Sequence, residues 1–404
     1  MAMPSVSEFS SRDKPLSFNW KATNTSWLDK LNLPSASFKK HEEVRSAILL
    51  DAMLAHHMGG CPIPNSDTVC TGWVSYSRNR NWWAGTSRYF PYSLREVIRV
   101  VKQLSFLHLL DHEKAPANPN TGWQSRFRAS SHLLEAARLP EINRSIKELI
   151  LLKDGNKNLI GYRDTIQTER WRNETGAQNE AISGIDVNIS HPDAIIDGNV
   201  IRIGDHILYP CMNAMYRVFN EDWKHGGRFY GGWWQNVKKS HRPYLSINGM
   251  ATVEEDYSQL HPRLLYRKEC KSLTGDAYTI DGWDRDTCKK ALNTILNAKT
   301  YRSALGAIAT EIGSNGGAGN AHEKAKALIT AQKAKHSPIT KYFHSGIGSK
   351  LQAIDASVAE NVMRRLRKQE IVSLPIHDSF IVPTNNQSAL KEAMEVALEQ
   401  VKFT

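Results

Sequence analysis

Asp256 and Asp378 are the residues of this chain best suited to chemistry. The first follows the run Ala251-Thr-Val-Glu-Glu, and the second sits inside Ile371-Val-Ser-Leu-Pro-Ile-His-Asp-Ser-Phe-Ile-Val382. The second run alternates weakly and is β-branched, as expected of a buried strand meeting a turn at His377-Asp378. One Asp after a strand is ordinarily a turn residue. Two strand-borne carboxylates brought together are what a pair of Mg²⁺ ions requires for phosphoryl or nucleotidyl transfer, because hard divalent cations select carboxylate oxygen. Between them lies Arg285-Asp-Thr-Cys-Lys289. Were this stretch helical, Arg285 and Lys289 at i and i+4 would share one face, with Lys290 as a register one residue later. Taken alone, such a pair is an ordinary solvated helix face. Gly226-Gly-Arg-Phe-Tyr-Gly-Gly232 reads locally as a tight turn. Gly313-Ser-Asn-Gly-Gly-Ala-Gly319 lacks the G-K-[ST] ending of a phosphate loop and is expected to be a flexible loop.

These side chains need a scaffold, and the periodicity supplies part of one. Residues 1–38 are rich in Ser, Pro, Asn and Lys with little period, which predicts a flexible arm. Apolar residues at helical spacing (Val44, Ile48, Leu49, Met53, Leu54) predict a helix over Lys39 to Met58. A second helix is predicted over Ser93 to Leu109, with Ser93 as N-cap and Val97, Ile98, Val101, Leu104 and Leu107 on one face. Leu107 to His112 and Trp123 to Ala129 read as strands around the turn-rich Pro116 to Gly122. Helix, helix, hairpin is the order of a winged helix, and residues 39–138 resemble winged helix-turn-helix domains. That resemblance implies DNA binding, with Arg95, Arg99, Lys102, Arg126 and Arg128 facing phosphates. The plainer reading is a small helical domain with a solvated basic face, or one that docks on protein. Residues 139–208 are expected to form a thumb-like helical region and linker. Its first helix would span Glu141 to Leu152, with Ile142, Ile146, Leu149 and Leu152 on one face, and a polar second helix would follow Gly161.

Asp256-Tyr-Ser-Gln-Leu-His-Pro-Arg263 is similar to the first palm motif of family A DNA polymerases, D-Y-S-Q-I-E-L-R. Ile376-His-Asp-Ser-Phe380 resembles the third palm motif, which that family writes H-D-E and single-subunit RNA polymerases of the phage and mitochondrial type write H-D-S-F. Arg285 to Asn293 resembles the fingers helix, R-x-x-x-K, and Gly226 to Gly232 the T-G-R or R-G-R-x-Y segment before the palm. Leu351 to Glu360 looks like the palm helix before the third motif, with Leu351, Ile354, Val358 and Val362 as its buried stripe. The resemblance covers roughly residues 140 to 404. It implies an α+β right-hand polymerase plus the N-terminal winged helix: a palm over 209–404 with a small antiparallel sheet, helical fingers inserted at about 275–345, and a reduced thumb.

The same resemblance implies roles. Asp256 and Asp378 would hold two Mg²⁺ ions (or Mn²⁺), with the Tyr257 carbonyl as a further ligand. Arg285 and Lys289 would bind the triphosphate, Lys289 protonating the leaving group. Tyr257 and His261 would line the nucleotide, and Arg228, Arg263 and His377 would contact nucleic acid. His261 stands where D-Y-S-Q-I-E-L-R has its Glu, and an imidazole can bond a 2′-hydroxyl. With Ser379-Phe380 this favours a compact DNA-directed RNA polymerase or primase-like enzyme. The alternatives are a family A-like DNA polymerase without proofreading, since no exonuclease domain is visible, and a non-catalytic replication initiator or regulator. The fingers helix lacks the Tyr that both branches place after the Lys; Asn297-Ala298 stands there.

Composition agrees with such partners: DNA template, nucleoside triphosphates, and nascent RNA or primer. A chain of 404 residues has room for two or three domains, and a net charge of +11 spread along it favours a polyanion. The 11 Trp and 13 Tyr offer rings for base stacking. The 5 scattered cysteines predict reduced thiols and a cytoplasmic protein, that of a bacterial host if phage-encoded. His56, His57, Cys61 and Cys70 fit no common zinc spacing. No signal peptide and no membrane span are expected.

Overall fold

A computed structural model of the chain describes residues 10–36, 39–60, 68–116, 124–197, 200–314 and 320–401. It has an α+β fold and divides into two compact units. One comprises Met1–Arg217 and Tyr230–Thr252; the other comprises Val218–Phe229 and Val253–Thr404.

The first unit is built on the helix Lys39–His57. From Ala47 to Ala55 every residue of that helix is buried, which is the signature of a helix enclosed on all sides rather than amphipathic. A four-stranded sheet covers it, in the order Ser10–Pro15, Thr68–Tyr76, Ser125–Ala129, Leu110–Glu113. The first pair is parallel and the other two are antiparallel. Helix Leu94–Phe106 starts at a capping box: the Ser93 N–H donates to Glu96 Oε2 at 2.7 Å and the Glu96 N–H to Ser93 Oγ at 3.3 Å. Its buried face is Val97, Val100, Val101 and Leu104; Ile98 and Leu107 are only half-buried.

Three expectations need correction here. Residues 10–36 are not a free arm. They form strands Ser10–Pro15 and Trp20–Ala22 and the short helix Ser26–Asp29, and they bury Phe18, Trp20, Trp27 and Leu31. Asp51, fully buried on the central helix, accepts from the Phe18 N–H at 2.8 Å and pairs with Lys14. The apolar residues of this segment are spread over a strand, a turn and one helical turn, so they show no single period. Second, Glu141 to Leu152 is not helical. Ile142–Arg144 pairs with Trp20–Ala22, and Ile150–Lys153 lies beside Tyr216–Asn220. The Ile and Leu spacing suits helix and strand alike, and the sheet partners decide. Third, the expected thumb-like region therefore holds one long helix, Ile166–Ser183, capped by Thr165 and Thr168. It is followed by a meander of Ala194–Asp197, Val200–Ile203 and His206–Leu208. The hairpin of Leu110–Glu113 and Ser125–Ala129 is present as expected, but Thr68–Tyr76, the central strand beside it, was not foreseen. Most of the Pro116 to Gly122 turn lies outside the described residues, as do Cys61 and part of the Gly313 to Gly319 loop.

In the second unit, the end of strand Met250–Asp256 lies next to Ser379–Pro383, which pairs antiparallel with Leu374–Ile376. Between the two acidic strands the chain forms helices Leu260–Lys268, Arg285–Asn297, Tyr301–Ser314 and Ala321–Lys335, the last three packed on one another. Helix Gly348–Arg367 packs against Gln387–Glu399, Leu260–Lys268 and Arg285–Asn297. Leu351, Val358 and Val362 are buried on it as expected, but Ile354 is half-buried and its neighbour Asp355 takes the inward place. Gly226 and Gly227 begin a strand, Gly226–Tyr230, rather than making a turn alone. Both have φ near +80°, and a Cβ on Gly226 would stand 2.9 Å from the Val218 carbonyl oxygen, so only glycine fits.

Candidate active site around Asp256 and Asp378

Asp256 is exposed at the last position of its strand. Asp378 is half-buried in a two-residue turn, fixed by the pairing of Ile376 with Ser379. His377, the other turn residue, has φ 59°, the left-handed backbone that tight hairpins demand. One backbone hydrogen bond joins the two motifs: the Tyr257 N–H donates to the Asp378 carbonyl at 3.2 Å. The sequence neighbours of both carboxylates are tied down as well. Ser379 Oγ donates to Glu254 Oε1 at 2.7 Å, and Gln387 Nε2 to Glu255 Oε1 at 2.6 Å. The Tyr257 side chain is buried, its hydroxyl donating to the Met394 carbonyl and its ring 6.4 Å from that of Phe380. Tyr257 thus offers a site only its backbone, and its ring belongs to the core.

Tyr278 is the residue that sequence reasoning missed at this centre. It is buried, with the Arg285 guanidinium 5.3 Å and the Lys289 ammonium 6.0 Å from its ring centroid. Burial pushes its phenol up to about 12; Arg285 opposes this, while the charges of Asp276, Asp378 and Asp256 add to it. One phenol thus feels both acidic motifs and both cations of the helix between them. Arg285 also donates through Nε to Asp276 at 2.6 Å, holding that carboxyl below its ordinary value. The two lysine registers separate cleanly. Lys290 is paired with Glu311 at 2.5 Å, whereas Lys289 makes no ion pair among the described residues.

A second cluster centres on Asp355 of helix Gly348–Arg367. Arg228 closes its fork on Asp355, with Nε 3.2 and 3.1 Å from the two carboxylate oxygens and Nη2 2.5 Å from Oδ2. His261 Nε2 lies 3.0 Å from the same Oδ2. Arg228, expected to grip a nucleic-acid backbone, is instead committed to a carboxylate whose side chain is 0% exposed. Arg263 is exposed on helix Leu260–Lys268 and His377 is half-buried. Asp355 carried no signal in the sequence except its place among apolar helix positions.

The basic side chains of the first unit fall into two groups. Arg126 and Arg128 pair with Glu113 and Asp111 at 2.8 and 2.9 Å and lie over the Trp73 ring. Expected to face phosphates, the two arginines stand opposite acids across the hairpin, which offset part of their charge. Arg95, Arg99 and Lys102 are exposed on helix Leu94–Phe106 and make no ion pair among the described residues.

Carboxylate oxygens at the ends of two adjacent strands are donors of the kind that hard divalent cations select. Among the described residues, no group of three or more His, Cys, Asp or Glu is arranged around a metal position. Nor is any helix long and apolar enough to cross a membrane. No protein-family model matches the chain, and no curated protein matches its sequence.

Proposed function

We propose that this chain is a template-dependent nucleotidyltransferase, a compact DNA-directed RNA polymerase or primase-like enzyme with a right-hand palm. The observation that carries the reading is the backbone bond from Tyr257 to Asp378, which keeps two acidic motifs from distant parts of the chain side by side. Asp256 and Asp378 would hold two Mg²⁺ ions, which when bound activate the attacking hydroxyl and neutralise triphosphate charge. Arg285 and Lys289 receive the β- and γ-phosphates, and Lys289 gives a proton to the departing pyrophosphate. Tyr278 keeps its proton throughout the physiological range and sets the floor beneath both cations. Helices Arg285–Asn297, Tyr301–Ser314 and Ala321–Lys335 take the part of fingers. In the first unit, the order helix, strand, short helix, helix, hairpin supports a winged-helix reading, and Arg95, Arg99 and Lys102 supply charge for a template.

The test is extension on single-stranded DNA with Mg²⁺, using ribo- or deoxynucleotides, each with and without primer. Ribonucleotide incorporation that disappears in Asp378→Ala is the expected result. Incorporation of deoxynucleotides alone would assign a DNA polymerase, and template binding without incorporation under any condition would leave a replication initiator or regulator.

A further inference from the structure

We infer that a cavity lined by Trp82, Phe90, Tyr216, Arg12 and Arg144 is a binding site for a nucleoside monophosphate, whose base lies on the rings and whose phosphate meets the cations. All the lining residues belong to the first unit, and the inference does not rest on the nucleotidyl-transfer reading of Asp256 and Asp378. The cavity has a volume of about 380 Å³, within the range of small-molecule sites.

The cation comes first. Arg144 ends strand Ile142–Arg144, paired with Trp20. Its guanidinium lies 5.3 Å from the centroid of the Tyr216 ring and 5.9 Å from that of Trp20. Nη1 donates to the Gly231 carbonyl at 2.6 Å, an approach that glycine permits: a Cβ at that position would stand 2.7 Å from the same nitrogen. Nε is shut off from water without a hydrogen-bond partner, and no carboxylate pairs with the group among the described residues. Burial pushes the pKa of Arg144 down, and what opposes this is the Tyr216 phenol and the Cys211 thiol rather than an acid. A desolvated cation without a counter-ion carries a free-energy cost that two ring faces only partly offset. An anionic ligand would remove it. The acid in the lining, Glu148, is occupied by Arg88 and Arg172 and leaves that charge uncancelled. Exposed Arg12 makes no ion pair among the described residues and adds a second cation.

The rings set the second requirement. Trp82, on the short helix Arg80–Gly85, is 36% exposed. Its ring centroid lies 5.3 Å from that of Phe90 and 5.6 Å from that of Trp83, so its neighbours hold it while part of its apolar surface stays open. An aromatic side chain held in this way stacks on a base with little rotamer entropy left to lose. The amide of Asn19, half-buried in the same lining, makes no hydrogen bond among the described residues and offers both donors and an acceptor. An inorganic anion would use the arginines alone, and an apolar ring the aromatic cluster alone. A nucleotide brings charge, ring face and polar edges together, either free or as the terminal unit of a strand.

Calorimetry on the full-length chain tests this, with the four nucleoside 5′-monophosphates, their nucleosides and inorganic phosphate. The titrations are run in EDTA, which withholds the divalent ions that Asp256 and Asp378 would share. The tightest monophosphate is expected to bind at least about tenfold more strongly than its nucleoside or phosphate alone. Arg144→Gln and Trp82→Ala should each weaken it by about tenfold or more, the first through a charge-assisted bond and the second through a base stack. No monophosphate binding to wild type, a nucleoside that binds as tightly as its monophosphate, or unchanged affinity in either folded variant overturns the proposal. Should Arg144→Gln not fold, Trp82→Ala and the nucleoside comparison decide. A 5′-phosphorylated trinucleotide separates the two sources of the ligand. Affinity equal to or below that of the monophosphate assigns the free nucleotide, and tighter binding that is lost in Trp82→Ala assigns the end of a strand.

Discussion

Lys289 and Lys290 are adjacent in sequence and opposite in circumstance. Lys290 is spent on Glu311, while Lys289 faces the ring of Tyr278 with Arg285 one turn behind it. A lysine without a carboxylate partner can meet a transient phosphate charge without first giving up an ion pair. Lys289→Ala is therefore expected to slow single-nucleotide incorporation by about 10²-fold or more while template affinity changes less than about twofold. Lys290→Ala should leave the rate within about twofold. Rapid-quench kinetics paired with fluorescence anisotropy would separate the two; equal losses of rate and binding in Lys289→Ala would move that side chain to the nucleic acid. His261 carries a related lesson. Replacing it by Glu, the residue of the DNA-polymerase motif, would set a second carboxylate against the buried oxygen of Asp355, so the variant is expected to melt at lower temperature than His261→Gln.

At the scale of elements, two joints hold the architecture and each can be probed. The hairpin leading to Arg228 depends on Gly226, whose φ of +77° and close approach to Val218 and Asn220 exclude a side chain. Gly226→Ala should cost at least about 1 kcal/mol in urea unfolding, because both backbone strain and steric contact oppose it. In the first unit, Arg88 and Arg172 clamp Asp164 and Glu148 together at the entrance to helix Ile166–Ser183. The two guanidinium groups hold the Asp164 carboxyl down to about 2. Its folded value lies below its unfolded value near 4, so this contribution is fully present above about pH 4 and is lost as pH falls toward 2. Asp164→Asn should flatten the dependence of stability on pH across that window, as measured by denaturant midpoints. An unaltered slope would show that Glu148 alone receives the two arginines.

For the whole molecule, charge and chain ends matter more than single contacts. With a net charge of +11, affinity for a DNA template should fall linearly in log–log terms as salt rises, with a slope of roughly −0.7 to −0.9 per phosphate contacted. Changing Arg95, Arg99 and Lys102 together to Gln should make that slope shallower, and a slope equal to wild type would remove helix Leu94–Phe106 from the template path. Deleting residues 1–24 removes Phe18 and Trp20 from the core and Lys14 from buried Asp51. Loss of each buried aromatic ring, and of one partner of a buried pair, costs about 3–5 kcal/mol, so the truncated chain should aggregate or lose its thermal transition.

What could be read from the residues alone was whatever local chemistry governs. The Ser93 cap, the helix after Lys39, the hairpin of Leu110–Glu113 with Ser125–Ala129, and a turn at His377-Asp378 all follow from neighbours a few positions apart. The strand that ends at Asp256 followed the same rule, while the Arg285/Lys289 helix was expected from the resemblance to a fingers helix. Other features were settled by partners far along the chain. Ile142 and Ile150 became strand residues because Trp20–Ala22 and Tyr216–Asn220 stood ready to pair. Residues 10–36 joined the core through Asp51 and a parallel strand, neither of which leaves a period in the sequence. Asp355 received its role from Arg228 and His261, 127 and 94 residues away. A buried charge is specified by what surrounds it in space, and so only the folded chain could assign it.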